Sequence, residues 1–218
     1  IVKNKMAEFF LELFSEEIPP KLQKNTRDFL LENFQKLFEE KNLKFKNSKS
    51  YSTPNRLIIF FDGLDKEIKE KSDEIRGPNI NAPEKALEGF LRSNKITKNQ
   101  IYKKSMEKGE FYFFKTKETI TDTIIFLEEN IPSILNKISW KKSMKWGDFE
   151  MEWGRPLKSI LSIFDSKKLS FKFHHLESSN TTFVDKEFED KQKKFNKFRN
   201  YIGYFKKSGI IIDQNYRK

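Results

Sequence analysis

The sequence predicts an α+β fold with mixed or antiparallel sheets and packed helices. Three observations carry that prediction. Apolar runs at 9–14, 57–61 and 111–114 have the length of buried strands. Between them lie segments with apolar residues at helical spacing, long enough for helices of roughly one to five turns. After Pro156, two apolar runs flank the polar triplet Asp165-Ser166-Lys167, the pattern of a β-hairpin.

Each element has a local reason. Residues 9–14, Phe-Phe-Leu-Glu-Leu-Phe, read as a buried strand. Pro19 and Pro20 end it and preset a helix over about 22–41, with Phe29, Leu30, Phe34, Leu37 and Phe38 recurring at helical spacing. Glu16 and Glu17 are of a type that serves as a catalytic acid pair; the preferred reading is that they favour the positive end of the helix dipole. Residues 50–56 read as a loop, and 57–61 as the next buried strand. Arg56 stands at that strand's mouth, where it can grip a phosphate or cap a neighbouring carboxylate. Residues 66–74 alternate in charge and read as solvated, and 74–78 read as a loop carrying Arg76. Pro83 opens a helix to about Ser93 with Ala86, Leu87, Phe90 and Leu91 on one face, and Thr97 caps a short helix after it. Lys108-Gly109 is a turn before the strand at 111–114. Thr121 or Asp122 caps an amphipathic helix through Ile138, which Pro132 is expected to break or kink. The hairpin arms are 157–164 and 169–173; 178–182 is a polar loop, 188–205 suits a helix, and 210–212 reads as a strand.

Two subdomains are expected, 6–140 and 141–218, dividing near Lys141. Residues 1–5 read as translation upstream of a start at Met6, and the strand-like 210–212 lies close to the end. The expectation is an N-terminal piece of a longer protein.

Composition narrows the function. The 218 residues carry a formal net charge of +11, with a sequence pI of about 9.5. Such a balance suits an anionic partner, nucleic acid or an acidic membrane surface. Part of it has a plainer source: lysines scattered among Asn, Ile and Phe also follow from a codon bias toward A and T. Cysteine is absent, which excludes disulfides, thiolate nucleophiles and cysteine zinc sites. The only histidines, His174 and His175, are adjacent; on a strand they would point to opposite faces, so a structural or surface role is preferred over metal ligation. Eight glycines stand singly, and no phosphate loop, triad or zinc spacing is present. No catalytic residue and no metal site is expected here. No apolar run approaches a membrane span and no signal peptide is visible, so the expected compartment is the cytoplasm.

One stretch stands out, 141–156. It holds Trp146-Gly147 and Trp153-Gly154 among Lys141, Lys142, Lys145 and Arg155, with Phe149 and Met151 alternating with Asp148, Glu150 and Glu152. The alternation is strand-like between two glycine turns. A flat aromatic beside a cation suits a single-stranded base and its phosphate. The same spacing suits core tryptophans of a hairpin with solvated lysines. The most basic segment follows at 188–205, with Lys191, Lys193, Lys194, Lys197 and Arg199; it reads as a solvated helix face or as a phosphate-tracking surface.

An ordered set of short motifs resembles the N-terminal part of the β subunit of bacterial glycyl-tRNA synthetase. Phe10-Leu11-Glu12-Leu13, then Glu16-Glu17-Ile18-Pro19-Pro20, resembles the family's opening strand and its Glu-Glu-Leu-Pro-Pro. Thr53-Pro54-Asn55-Arg56-Leu57 is similar to Thr-Pro-Arg-Arg-Leu, and Arg76-Gly77-Pro78 to Arg-Gly-Pro. Pro83, Lys85-Ala86, Gly89-Phe90 and Lys108-Gly109-Glu110 follow in order. The sharpest likeness is Met144-Lys145-Trp146-Gly147 with Phe149 and Arg155-Pro156, and Ile212-Asp213 and Arg217-Lys218 complete the set. The sequence departs at Asn55, at Ala82 and at 184–188, where the family has Gly-His-Arg-Phe. The resemblance implies an aminoacyl-tRNA synthetase of two α and two β subunits that joins glycine to tRNA(Gly). It implies that the α subunit uses ATP and magnesium, and that this piece contributes tRNA binding and assembly with no cofactor of its own. Arg56, Arg76, Lys145, Trp146 and Arg155 are the candidates for tRNA or interdomain contact. The alternatives are a scaffold that touches no RNA, or an unrelated basic RNA-binding or membrane-surface module.

Overall fold

The computed structural model describes residues 6–70, 72–184 and 191–217. Residues 1–5, read above as upstream translation, and 185–188, where the family motif is altered, lie outside the described residues. The chain forms β1 (Met6–Ser15), α1 (Pro20–Glu40), β2 (Asn47–Thr53), β3 (Arg56–Asp65), β4 (Glu67–Glu70) and β5 (Glu74–Asn79). It continues through α2 (Glu84–Asn94), β6 (Ile101–Met106), β7 (Gly109–Lys115), β8 (Thr119–Asp122) and α3 (Thr123–Asn136). Then come β9 (Leu157–Phe164), β10 (Lys167–Lys168), β11 (Lys172–Phe173), β12 (Leu176–Ser179), β13 (Thr181–Phe183), β14 (Gln192–Lys194) and α4 (Phe198–Lys207). The α+β class holds.

The chain divides into two compact units, Ile1–Ile68 with Thr121–Lys218, and Lys69–Ile120. The division therefore does not fall near Lys141. The reason is β9: it pairs along β1, Phe10 opposite Ile163 and Leu13 opposite Ile160, so the late segment is built into the same sheet as the first strand.

In the first unit, β1 sits between β3 and β9, antiparallel to both, in the order β11-β12-β9-β1-β3-β2, with β10 also on β9. Alternation splits β1 between two cores. Phe9, Leu11 and Leu13 join Leu57, Ile59 and Phe61 of β3 under Leu30, Phe34 and Phe38 of α1 and Leu127 and Ile131 of α3. Phe10 joins Ile58, Leu161 and Ile163 under Phe198, Tyr201 and Phe205 of α4. Each such fully buried side chain contributes about 1.5–3 kcal/mol. Coverage on both faces explains why residues 9–14 read as a nearly unbroken apolar run.

The predicted starts and turns appear where their chemistry is local. Pro20 lies at the first position of α1. Asp122 caps α3, its carboxylate accepting from the Ile124 amide at 2.8 Å. Thr97 and Gln100 form a capping box on the short 3-10 helix Lys98–Gln100. Asp165 and Ser166 turn the β9–β10 hairpin with φ of 49° and 62°. α3 continues through Pro132 to Asn136.

Other expectations are corrected. Much of the loop at 50–56 is strand: β2 runs to Thr53 and pairs with β3, Tyr51 opposite Ile58. The solvated stretch contains β4, which pairs with β8, and the loop at 74–78 is strand β5. The polar loop at 178–182 holds the ends of β12 and most of β13. The helix expected over 188–205 begins only at Phe198, because β14 is drawn into pairing with β13, Thr182 opposite Lys193. Residues 210–212 form no strand; Ile212 is buried in the α4 core from a coil segment.

In the second unit β5, β7 and β6 make an antiparallel sheet in the order β5-β7-β6, and α2 contacts β5. Gly77 permits that contact: a Cβ there would meet Phe90 Cε1 at 2.8 Å.

Candidate nucleic-acid interface

Arg56 opens β3 opposite Phe14, on the α4 face of the sheet, with Glu12 two residues back on β1 as its diagonal neighbour. Glu12 is fully buried and Arg56 is 6% exposed. Arg56 Nε donates to Glu12 Oε2 at 3.1 Å, and Nη2 donates to the Phe183 carbonyl. Thr182 Oγ1 and Tyr201 Oη donate to the same carboxylate. The guanidinium carbon lies 4.6 Å from the centroids of both Phe14 and Phe205. Burial first, and the Glu12 charge second, push the Tyr201 phenol well above its usual range, so it remains a donor. An unpaired buried carboxylate is costly; here β3, β13 and α4 each supply a donor to it. Of the two roles open to Arg56, the structure places it in the interior, beside a carboxylate.

The tryptophan stretch lies between α3 and β9. The alternating strand expected there does not form. The segment is an irregular loop closed by one antiparallel bridge, Met144 N to Trp153 O at 2.8 Å and Trp153 N to Met144 O at 3.2 Å. The two glycines do different work. Gly147 turns the chain with φ +55°. Gly154 allows close packing, since a Cβ there would lie 2.3 Å from Trp140 Cε3. The tryptophans divide in the same way. Trp153 is buried at 2% exposure, with its ring 5.2 Å from Trp140 and 5.5 Å from Phe173. Trp146 is half-buried, and Lys141, Lys142 and Lys145 are exposed.

Phe149 is 43% exposed and carries His175 flat upon it, 3.6 Å between centroids and 7° between planes. Trp146 meets the same imidazole edge-on at 6.1 Å. The two-residue turn between β11 and β12, with His174 at φ +53°, presents His175 this way. Partial burial, then the neighbouring His174, lower the His175 pKa, so the imidazole is neutral at pH 7. The outcome is an uncharged aromatic ledge of Trp146, Phe149 and His175, with exposed Lys145 next to Trp146 in the chain.

Arg155 closes the loop. Its Nε donates to the Glu17 carbonyl at 3.2 Å, and the Glu16 amide donates to the Pro156 carbonyl at 3.0 Å. Arg76 is exposed in the second unit, 3.7 Å above the Phe111 ring. Nearby, Lys104 Nζ and Tyr102 Oη meet the Glu74 carboxylate at 2.6 and 2.7 Å and hold it below its ordinary pKa. The four candidates of the first unit therefore do not form one site. Lys145 and Trp146 stand together on the surface, and Arg155 pins the end of their loop. Arg56 is interior, and Arg76 belongs to the other unit. Motif reading missed His175, whose stack on Phe149 crosses from one loop to another. It missed Glu12 as a partner, although a lone carboxylate inside Phe10-Leu11-Glu12-Leu13 was signal enough.

The family model for the glycyl-tRNA synthetase beta subunit matches residues 9–218. The chain is 36% identical over 213 residues to the glycine–tRNA ligase beta subunit of Rickettsia conorii, which covers 98% of this chain and 32% of that protein. It is 37% identical over 211 residues to that of Rickettsia prowazekii, covering 96% of this chain and 31% of the relative. The chain thus spans about a third of the length of the curated relatives it matches. It belongs to the glycyl-tRNA synthetase beta subunit family, the same family its motifs resemble.

Proposed function

We propose that this chain is the N-terminal part of a glycine–tRNA ligase β subunit, and that it grips tRNA(Gly) and helps to assemble the enzyme in the cytoplasm. In this reading its partners are tRNA(Gly) and the α subunit, in a tetramer of two α and two β subunits. The α subunit uses ATP and magnesium to activate glycine, and this piece binds neither. Family membership supports the enzyme class. The observation that carries the RNA contact is the ledge of Trp146 and Phe149 with Lys145 exposed beside it. Such a surface offers stacking area and a phosphate partner together.

The test is tRNA(Gly) retention by the 218-residue chain at low and moderate salt, with Lys145→Glu and Phe149→Ala as variants. Both side chains are exposed, so the circular dichroism spectrum stays that of the parent chain. Retention by Phe149→Ala falls about tenfold, in line with roughly 1–3 kcal/mol for a lost stacking contact, and Lys145→Glu, which loses a phosphate contact, lowers retention and its salt dependence. Unchanged retention would overturn the RNA contact. A specific observation favours a second role for the same loop: Arg155 holds its end against Glu17. Under that scaffold reading, Arg155→Ala weakens co-purification with the α subunit and leaves tRNA retention unaltered.

A further inference from the structure

α4 has two unlike sides. Phe198, Tyr201 and Phe205 are buried in the sheet's second core. The opposite side carries Arg199, Asn200, Gly203 and Lys207, and β14 brings Lys193 and Lys194 beside it. Together they line an open cavity of about 780 Å³, with Phe195 and Tyr204 also in its lining. Among the described residues, no carboxylate lines it. Among the described residues, Lys194, Arg199 and Lys207 form no ion pair, and Lys193 only rides over the Tyr204 ring at 4.7 Å. Like charges gathered around one cavity repel each other until an anion arrives.

Gly203 adds an independent sign. Glycine inside a helix is unfavourable relative to alanine. Here the fold itself does not require it: its φ is not positive, and a Cβ would meet nothing within 4 Å. The helix backbone is left bare toward the cavity. That is useful where another chain must come close.

We propose that this cavity is a groove for an RNA phosphate backbone. Lys193, Lys194, Arg199 and Lys207 would take phosphates, while Asn196 and Asn200 reach sugar hydroxyls and the bare backbone at Gly203 admits close approach. Small-molecule pockets are enclosed and bury most of their ligand; this one is open and rimmed by cations. A membrane-surface helix would show apolar side chains beside its cations, and α4 exposes no large apolar side chain. Mixed phosphate and sugar contacts without an apolar wedge are the pattern of backbone recognition. The inference rests on the proposed RNA-binding reading and deepens it, on residues separate from the Lys145 ledge.

The experiment is fluorescence anisotropy of a labelled 16-base-pair RNA duplex with the 218-residue chain between 50 and 200 mM salt. Replacing Lys193, Lys194, Arg199 and Lys207 together by Gln lowers the slope of log affinity against log salt by about 3 and weakens binding at least tenfold at 100 mM. Gly203→Ala, which meets no atom in the free chain, leaves the melting temperature the same or higher and weakens the duplex at least threefold. Lys145→Glu in the same assay separates the two surfaces. If it abolishes duplex binding while the fourfold variant binds as the parent does, the groove is overturned and the ledge stands. Failure of the parent chain to bind the duplex, an unchanged salt slope in the fourfold variant, or binding to phosphatidylserine vesicles that those substitutions abolish without affecting RNA, each overturns the proposal.

Discussion

Replacing Arg56 by Met strips the cation from a carboxylate that has no access to water. Glu12 is 0% exposed and takes donors from Arg56, Thr182 and Tyr201. Methionine keeps most of the apolar stem between Phe14 and Phe205, so the change removes the charge together with its hydrogen bonds to Glu12 and to the Phe183 carbonyl. Removing one partner of a buried pair costs about 3–5 kcal/mol, because the other is left uncompensated. That is a large part of the roughly 5–15 kcal/mol that holds a typical domain folded. Glu12→Gln costs less, since the amide oxygen still accepts from Thr182 and Tyr201. The double variant, with no charge left to strand, costs less than the two singles summed by at least about 2 kcal/mol. The assay is urea unfolding followed by tryptophan fluorescence. Trp140, Trp146 and Trp153 all lie in the first unit, so the signal reports that unit alone. A cost below about 1 kcal/mol for Arg56→Met, or strict additivity, would refute the reasoning and return Arg56 to the pool of free cations.

Two further outcomes follow from close contacts and titration. Gly154→Ala puts a methyl group 2.3 Å from Trp140 Cε3; displacement of that ring costs about 1–3 kcal/mol and shifts the fluorescence maximum, and an unmoved spectrum contradicts it. Burial raises the Glu8 pKa, against its bond from the Phe198 amide at 3.0 Å. The folded state therefore holds that proton more tightly than the unfolded chain, and stability falls as pH rises from the ordinary carboxylate value through the raised one. Glu8→Gln, measured by thermal melting between pH 4 and 7, flattens that decline; a slope equal to the parent's excludes Glu8 as its source.

What could be read from the residues alone was whatever short-range chemistry decides. Pro20, Thr97 and Asp122 announced helix starts within a single turn, and the central strand announced itself by its apolar run. The missed strands were polar ones. β2, Asn-Ser-Lys-Ser-Tyr-Ser-Thr, is an edge strand whose form comes from pairing with β3, and its composition resembles a loop. β14 lies in a lysine-rich segment that suits a helix until β13 pairs with it. The candidate site divided along the same line. Exposed Lys145 beside Trp146 was visible as a motif. The burial of Arg56 needs Tyr201 and Thr182, far along the chain, and its Glu12 partner became apparent only once β1 and β3 were in register.

The placement of β1 has a consequence for biosynthesis. The earliest described strand ends up in the middle of its sheet, with β3 on one edge and β9 on the other. A ribosome delivers β3 soon after β1, but at about 5–20 residues per second β9 emerges several seconds later. Through that interval β1 presents an unfilled, phenylalanine-rich edge, open to whatever other chain passes by. Conditions that slow translation between Asp65 and Leu157 lengthen that exposure.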